Sequence, residues 1–375
     1  MAGIYIHIPF CKQRCTYCDF YTEVAPQFIP TYIDSLIKEL QFRKDYLNNA
    51  PIDTIYFGGG TPSILNFDQF KAIFDVIYKL FTIADHPEIT FEANPDDLTL
   101  EFLTSMQALP FNRLSLGIQS FDDMDLKRIN RRHTSMQAVK AVKDAQAAGF
   151  DNISIDLIYG LPFQTTTSWE RQLDMALKLN IQHLSAYGLT YEEGTVLWKQ
   201  REKGEIESVD EVEMNRMYLI LLDKVKEKGF EAYEISNFAL PGFRSRHNSS
   251  YWKQEPYLGV GPSAHSYDLI SRQWNVSSIK DYIKAIDTNS GLFEREILSL
   301  YDRYNDFVMV SLRTSDGLDF EYMRKEFGSE LAEYCLINIK SFMDSEKVYN
   351  SDGKLRLSTK GIQISNLILI QLMKV

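Results

Sequence analysis

The sequence predicts an α/β fold, a partial (β/α)6 barrel followed by a small C-terminal helical domain with a winged-helix-like hairpin. Three observations predict it. β-Branched and aromatic runs alternate with longer helical patterns from residue 3 to about 230. Alternation at that spacing implies parallel strands joined by right-handed crossovers. Unusual polar and glycine residues gather where each strand ends, which is the face on which barrels build their sites.

The expected strands are 3–8, 52–57, 88–93, 113–118, 152–158 and 182–189, with helices at 31–46, 68–81, 100–109, 136–148 and 168–179. Their lengths alone leave an open doubly wound sheet as an alternative. The strand ends favour the barrel: CKQRC follows the first strand, GGGTPS the second, Glu92 closes the third, Gln119 follows the fourth, Asp156 lies in the fifth and Thr190 follows the sixth. Contributions from every strand meet most simply when the sheet curls. This barrel is expected over residues 1–235.

After about residue 208 the pattern changes. A helix at 209–228 leads into FEAYEISNFA, a strand, and then a stretch rich in Gly, Pro, Ser and aromatics, with a further helix at 279–287. Residues 236–295 are read as a connecting region. The last region, 296–375, has helices at 301–312, 321–327 and 330–344, a β-hairpin turning at Ser351-Asp352-Gly353, and a closing apolar helix. Wings of this kind often bind DNA. Here the charge argues otherwise.

The chain has 375 residues, 45% hydrophobic and 24% charged, which suits a globular protein of two or three domains. Its net charge is −11 and no block of like charges makes a basic field, so no nucleic-acid partner is expected. No apolar run approaches the roughly 18 to 20 residues of a membrane span, and the start, GIYIHIPF, reads as a strand rather than a leader. The expected location is cytoplasmic.

Of four cysteines, Cys11, Cys15 and Cys18 form C-x3-C-x2-C on the loop leaving the first strand, while Cys335 lies alone in a helical segment and is expected to be buried there. Three thiolates so close in sequence can face one centre if the chain wraps around it, as iron–sulfur loops do. The alternative is zinc with His7 as fourth ligand. A cluster held by three cysteines leaves one iron open to chelate a small molecule. Gly58-Gly59-Gly60-Thr61-Pro62 follows a strand, where glycine lets backbone approach a ligand, but it lacks the Lys of a phosphate loop. Gly259-x-Gly261-x-x-Ala264 mimics a dinucleotide fingerprint, yet Pro262 interrupts it and no suitable helix follows.

The runs IYIHIPFCKQRCTYCDF, YFGGGTPS, FEANP, LSLGIQSF, INRRHT, ISIDLIYGLP and LSAYGLTYEEGT occur in that order. In this they resemble the radical S-adenosylmethionine superfamily and, within it, the coproporphyrinogen III dehydrogenase-like subfamily. The resemblance implies a TIM-type radical S-adenosylmethionine barrel and a 4Fe-4S cluster on Cys11, Cys15 and Cys18. It also implies S-adenosylmethionine on the open iron, cleaved reductively to a 5′-deoxyadenosyl radical. By the same resemblance Gly59, Gly60 and Thr61 contact the amino-acid part of that cofactor, and Tyr5 and Tyr17 flank the cluster. Glu92, Gln119, Arg131 and Asp156 hold its amino, ribose and carboxylate groups, with Thr190 among the binding residues, and no side chain is singled out as catalytic.

Two features point to one branch of that subfamily. The dehydrogenases carry a fourth cysteine two residues past the third, where this chain has Phe20. His247-Asn248-Ser249-Ser250-Tyr251-Trp252 resembles the H-N-x-x-Y-W pattern of the heme-chaperone branch. That likeness implies a protein that binds heme and hands it to acceptors such as respiratory-chain hemoproteins, with transient membrane-protein contacts and without coproporphyrinogen III oxidase activity. His247 and His265 become candidate heme ligands, Tyr251 and Trp252 covers for the porphyrin face, and Arg244 and Arg246 partners for propionates. The cluster strand also begins at residue 3, so the dehydrogenases' N-terminal extension, and part of their substrate-pocket wall, is expected to be missing. The competing reading is oxygen-independent oxidative decarboxylation of coproporphyrinogen III.

Overall fold

A computed structural model describes residues 2–374. The strand-helix units run as β1 (Ala2–Ile8), α1 (Ile29–Phe42), β2 (Ile52–Gly59), α2 (Phe67–Leu80), β3 (Ile83–Ala93), α3 (Leu100–Met106) and β4 (Arg113–Gln119). They continue as α4 (Asp123–Arg128), α5 (Ser135–Ala147), β5 (Ile153–Tyr159), α6 (Thr166–Leu177) and β6 (His183–Gly188). The six strands pair in parallel and in chain order, so no reversal of strand order occurs as a doubly wound sheet requires.

The alternation along each strand explains the curl. Ile4, Ile6 and Ile8 of β1, Ile55 and Phe57 of β2, Ile89 and Phe91 of β3 and Leu114 and Leu116 of β4 are buried in the main apolar core. The intervening positions are polar and meet one another across the inside: Tyr56 donates to Glu92 at 2.7 Å, Ser115 to Asp156 at 3.4 Å, and Ser154 bonds His183 at 2.7 Å. Both faces are therefore buried, one in an apolar layer and one in a hydrogen-bonded lumen, and a one-residue slip would exchange them. Reciprocal caps by Asn66, Thr134 and Thr165 start α2, α5 and α6.

Beyond β6 come α7 (Val196–Glu202), α8 (Glu211–Glu227) and an antiparallel pair, β7 (Glu231–Ala232) and β8 (Asn237–Ala239), that extends the sheet past β6. Then follow α9 (Arg246–Trp252), β9 (Tyr257–Val260), β10 (His265–Tyr267), β11 (Ser271–Asn275), α10 (Ile279–Thr288) and β12 (Phe293–Ile297). β9 lies parallel against β1, and β10, β11 and β12 continue that edge antiparallel. Much of the expected loop-rich stretch is thus sheet and helix. Strands of three to five residues are too short to show a period, which is why pattern reading misses them.

The C-terminal part comprises α11 (Leu300–Leu312), β13 (Leu318–Asp319), α12 (Phe320–Phe327), α13 (Ser329–Asp344), β14 (Val348–Ser351), β15 (Lys354–Leu357), α14 (Thr359–Gln363) and α15 (Ser365–Leu372). It has its own apolar core, in which Cys335 is fully buried as expected. The hairpin turns on Asp352 and Gly353, at φ 56° and 77°, the two left-handed positions of a tight two-residue loop. Residue 296 falls inside β12, so the second core begins downstream, with α11. Among the described residues no helix is long and apolar enough to cross a membrane.

Candidate functional site

β1 delivers the chain to Pro9 at the carboxyl end of the sheet, and the loop that follows carries Cys11, Cys15 and Cys18 as free, partly buried thiols. Backbone bonds close its base, Cys11 N–H to Glu23 O at 3.1 Å and Glu23 N–H to Pro9 O at 2.7 Å. Its tip rests on the turn after α4: Gln13 Nε2 donates to Asn130 O at 3.0 Å, Asn130 Nδ2 to Arg14 O at 2.8 Å, and Thr16 N–H to Ile129 O at 3.2 Å. The cysteines are thus held from both sides. Burial pushes the Cys18 thiol up to about 11 and raises that of Cys11, so holding either as thiolate calls for a bound cation.

Zinc with His7 does not fit this arrangement. The His7 ring is buried, with Nδ1 bonded to Tyr5 Oη at 3.1 Å and Nε2 to the Tyr21 carbonyl at 3.2 Å. Among the described residues no three His, Cys, Asp or Glu side chains converge on a point that one ion could occupy. A cluster of several irons spreads its ligands over a wider body and needs no such convergence.

One cavity of about 520 Å³ opens beside the loop. Its walls include Cys11, Cys15, Tyr17 and Cys18 from the loop, Gly59, Gly60 and Thr61 from the end of β2, Glu92 from β3, Gln119 from β4, Arg131, Asp156 from β5 and Thr190 after β6. All of these are expected from the sequence. Tyr5 is the exception, standing lower in the barrel, its ring stacked between Tyr56 at 6.2 Å and His247 at 6.3 Å. Phe20 is exposed at the mouth. Gly60 cannot be replaced without movement, because a Cβ there would sit 2.7 Å from the carbonyl oxygens of Ile8 and Phe10. Gln119 takes a left-handed φ of 69°, a strained backbone that turns the chain at the site.

The floor of the cavity is acidic. Burial, reinforced by Asp156, pushes the Glu92 carboxyl up to about 7, and burial brings Asp156 up to about 6. The partner that a strand aspartate needs is present: Ser115 bonds Asp156, and Ser185 also favours its charged form. Arg131 reaches in from the side, with Nη1 donating to Cys15 Sγ at 3.4 Å and Nη2 to Asn94 Oδ1 at 2.6 Å and to the Gly117 carbonyl. Sequence reading does not single out Asn94, although FEANP contains it. An uncharged amide before a proline reads as a turn residue, and only its two side-chain bonds reveal more.

His247 and His265 do not join this cavity. α9 lies at the opposite end of the barrel, where His247 is 1% exposed with Nδ1 bonded to Thr54 Oγ1 and Nε2 to Tyr251 Oη, both at 2.8 Å. Its ring stacks on Tyr56 at 4.9 Å and burial pushes its pKa down to about 3. Both ring nitrogens are spent, so the expected ready ligand for iron is instead a plug in the barrel floor. Tyr251 likewise packs inward, edge-on to Tyr257. Arg244 pairs with Glu231 at 3.0 Å, and Arg246 with Asp53 at 3.4 Å, rather than standing free for propionates. Trp252 lines a second cavity of about 510 Å³ that α9 shares with the C-terminal part. His265 is exposed on β10 beside Trp274.

Comparison with known proteins bears on this arrangement. The Radical SAM superfamily model matches residues 5–176 and the HemN C-terminal domain model residues 298–364. The chain is 35% identical to the heme chaperone HemW of Lactococcus lactis over 96% of its own length and 94% of that protein's. It is 33% identical to the HemW of Bacillus subtilis over 98% and 97%. In structure it resembles coproporphyrinogen III oxidase (HemN) from Escherichia coli, with a TM-score of 0.86 and 23% identity, covering 100% of this chain and 90% of that one. That last likeness is one of fold.

Proposed function

The chain belongs to the heme chaperone HemW family of radical SAM proteins, and we propose that it carries heme to acceptor hemoproteins with the support of a 4Fe-4S cluster and S-adenosylmethionine. One observation carries the reading: the three-cysteine loop and the ends of β2 to β5 line a single cavity. The residues present suit those groups. Three thiols on a wrapped loop leave one coordination position unfilled by protein, the wall at Gly59 and Gly60 tolerates no side chain, and the buried Arg131 Nε has no partner of its own.

The cluster, when bound, supplies an iron that chelates the amino and carboxylate groups of S-adenosylmethionine. Cys11, Cys15 and Cys18 hold it as thiolates. Gly59, Gly60 and Thr61 receive the amino-acid part, Arg131 offers its guanidinium to a carboxylate, and Glu92 and Asp156 provide the anionic floor that a sulfonium cation and ribose hydroxyls require. Gln119, Tyr17 and Thr190 complete the wall.

Heme is the cargo. Its acceptors are read as hemoproteins of the respiratory chain, met through transient contacts at the membrane by a protein of the cytoplasm. Phe20 supports the chaperone over the oxidase, because it stands where the dehydrogenases have a cysteine. His265, exposed, is the readier axial ligand; His247 would first have to give up Thr54 and Tyr251.

The test is anaerobic reconstitution followed by heme titration. Wild-type protein is expected to bind about four irons and to show a saturable Soret shift, weakened in His265→Ala more than in His247→Ala. Incubation with coproporphyrinogen III is expected to yield no protoporphyrinogen. Protoporphyrinogen formed over many turnovers, or a chain that takes up zinc and no cluster, would overturn the reading.

A further inference from the structure

Thr61 and Arg131 do more than face the cavity: each also reaches a cluster cysteine, and one amide joins them. Thr61 Oγ1 lies 3.3 Å from Cys11 Sγ, Arg131 Nη1 donates to Cys15 Sγ at 3.4 Å, Asn94 Nδ2 donates to Thr61 Oγ1 at 3.2 Å and Asn94 Oδ1 accepts from Arg131 Nη2 at 2.6 Å. The directions follow from the ends. A guanidinium can only donate, so it fixes the carbonyl end of the Asn94 amide. The NH2 end then points at Thr61, whose oxygen accepts, and the one hydroxyl proton of Thr61 is left for Cys11. A thiolate has no proton to offer, so with Cys11 as a cluster ligand that bond runs from Thr61 to sulfur.

We infer that Asn94 is a positioning residue that aims two hydrogen-bond donors, Thr61 at Cys11 and Arg131 at Cys15, and thereby raises the reduction potential of the cluster. Donors to ligating sulfurs favour the reduced cluster because they offset its added negative charge, and bonds one step behind the ligands hold such donors in place. The inference rests on the cluster proposed above.

The decisive substitution is Asn94→Asp. It keeps the shape and still accepts from Arg131, but its second oxygen can only accept, so the Thr61 hydroxyl turns to the new carboxylate and away from Cys11. Anaerobically reconstituted protein without S-adenosylmethionine is titrated electrochemically and followed by the EPR signal of the reduced cluster. The midpoint potential is expected to fall in Asn94→Asp and in Thr61→Val, to stay near wild type in Thr61→Ser, and in the double variant N94D/T61V to fall no further than in N94D, because both changes remove the same bond. An unchanged potential in N94D, shifts that add in the double variant, or an N94D chain that takes up no iron while Thr61→Val does would each overturn the inference. A wild-type chain that assembles no cluster would instead overturn the function proposed above.

Discussion

Glu92 and Asp156 put two carboxyls on the floor of one buried cavity, and their separate environments decide when each is charged. Burial raises both, to about 7 and about 6, and the charge of Asp156 adds to the rise at Glu92. S-adenosylmethionine is a cation at its sulfonium and binds best to the ionised pair. Its affinity is therefore expected to rise as pH goes from 5 to 8, by about tenfold per pH unit for each group still below its pKa, most steeply below pH 6 and levelling off above pH 7. Equilibrium binding to reconstituted protein checks this, and Glu92→Gln is expected to weaken binding and flatten the upper part of the profile. A pH-independent affinity in the wild type would remove the carboxyl pair from the site. Asp156 is legible from sequence because an acid in a β-strand has a stated cost, and Glu92 because it closes a strand at the open face. Asn94 is not, since an amide carries no such cost and its role lies in two contacts from distant elements.

The least expected element is α9. Seven residues form no stable helix by themselves, and His247-Asn248-Ser249-Ser250-Tyr251-Trp252 falls in a stretch that reads as rich in loops. What holds it is β3: Glu88 accepts the backbone N–H groups of Arg246 and His247, both at 2.9 Å, at the start of the helix, where unpaired donors and a positive dipole end favour an anion. Glu88 is buried, so Glu88→Ala leaves two donors without partners and is expected to cost about 3 kcal/mol. Denaturant unfolding measures this. Because His247 closes the barrel floor through Thr54 and Tyr251, the same substitution is expected to expose its ring, seen as a rise in its NMR pKa from about 3 toward the usual histidine range. A small loss of stability with the histidine unmoved would mean that packing of the ring, not Glu88, seats the helix.

For the whole molecule, three barrel histidines set the response to acid. Burial holds His7 at about 4, His247 at about 3 and His183 well below the ordinary value, whereas in the unfolded chain all three titrate near 6.5. Below pH 6.5 the unfolded state takes up protons that the folded state refuses. Each histidine then removes about 1.4 kcal/mol of stability per pH unit until its folded pKa is reached. Glu92 and Asp156 act in the opposite sense, since their raised values let the folded state bind protons first as pH falls from 7. Inside the barrel three histidines against two carboxyls leave a net loss. Outside it His133, held by burial at about 3, adds to that loss, and Asp96, Asp125, Glu234 and Asp306, raised by burial, offset part of it. Stability is expected to decline from pH 6 to pH 4.5, and to decline more steeply in the double variant E92Q/D156N. Thermal unfolding across that range tests it, and a flat profile would show the barrel floor to be wet rather than closed.

The barrel, the C-terminal hairpin, the three-cysteine loop and the strand-end residues beside it can all be read along the chain, for one reason: their signals are local. Tyr17 and Arg131 are expected at the cavity only from the family resemblance. Alternation along a strand records which face is buried, C-x3-C-x2-C records a wrapped loop, and glycine or acid at a strand end records what the strand delivers to the open face. Tyr5 marks the limit of such reading, because a residue in the middle of β1 shares the face of the site without reaching its level.

Folding in three dimensions added what no neighbouring residues record. It extended the sheet past both ends of the barrel with strands too short to carry a period, closed the barrel floor with His247 instead of leaving that ring to a ligand, and joined Thr61 to Arg131 through Asn94. The last two depend on partners far away in the chain: Thr54 lies 193 residues from His247, and Asn94 lies 33 from Thr61 and 37 from Arg131. A hydrogen bond's worth is set by what stands opposite it and by how dry the place is, and both are properties of the packed chain.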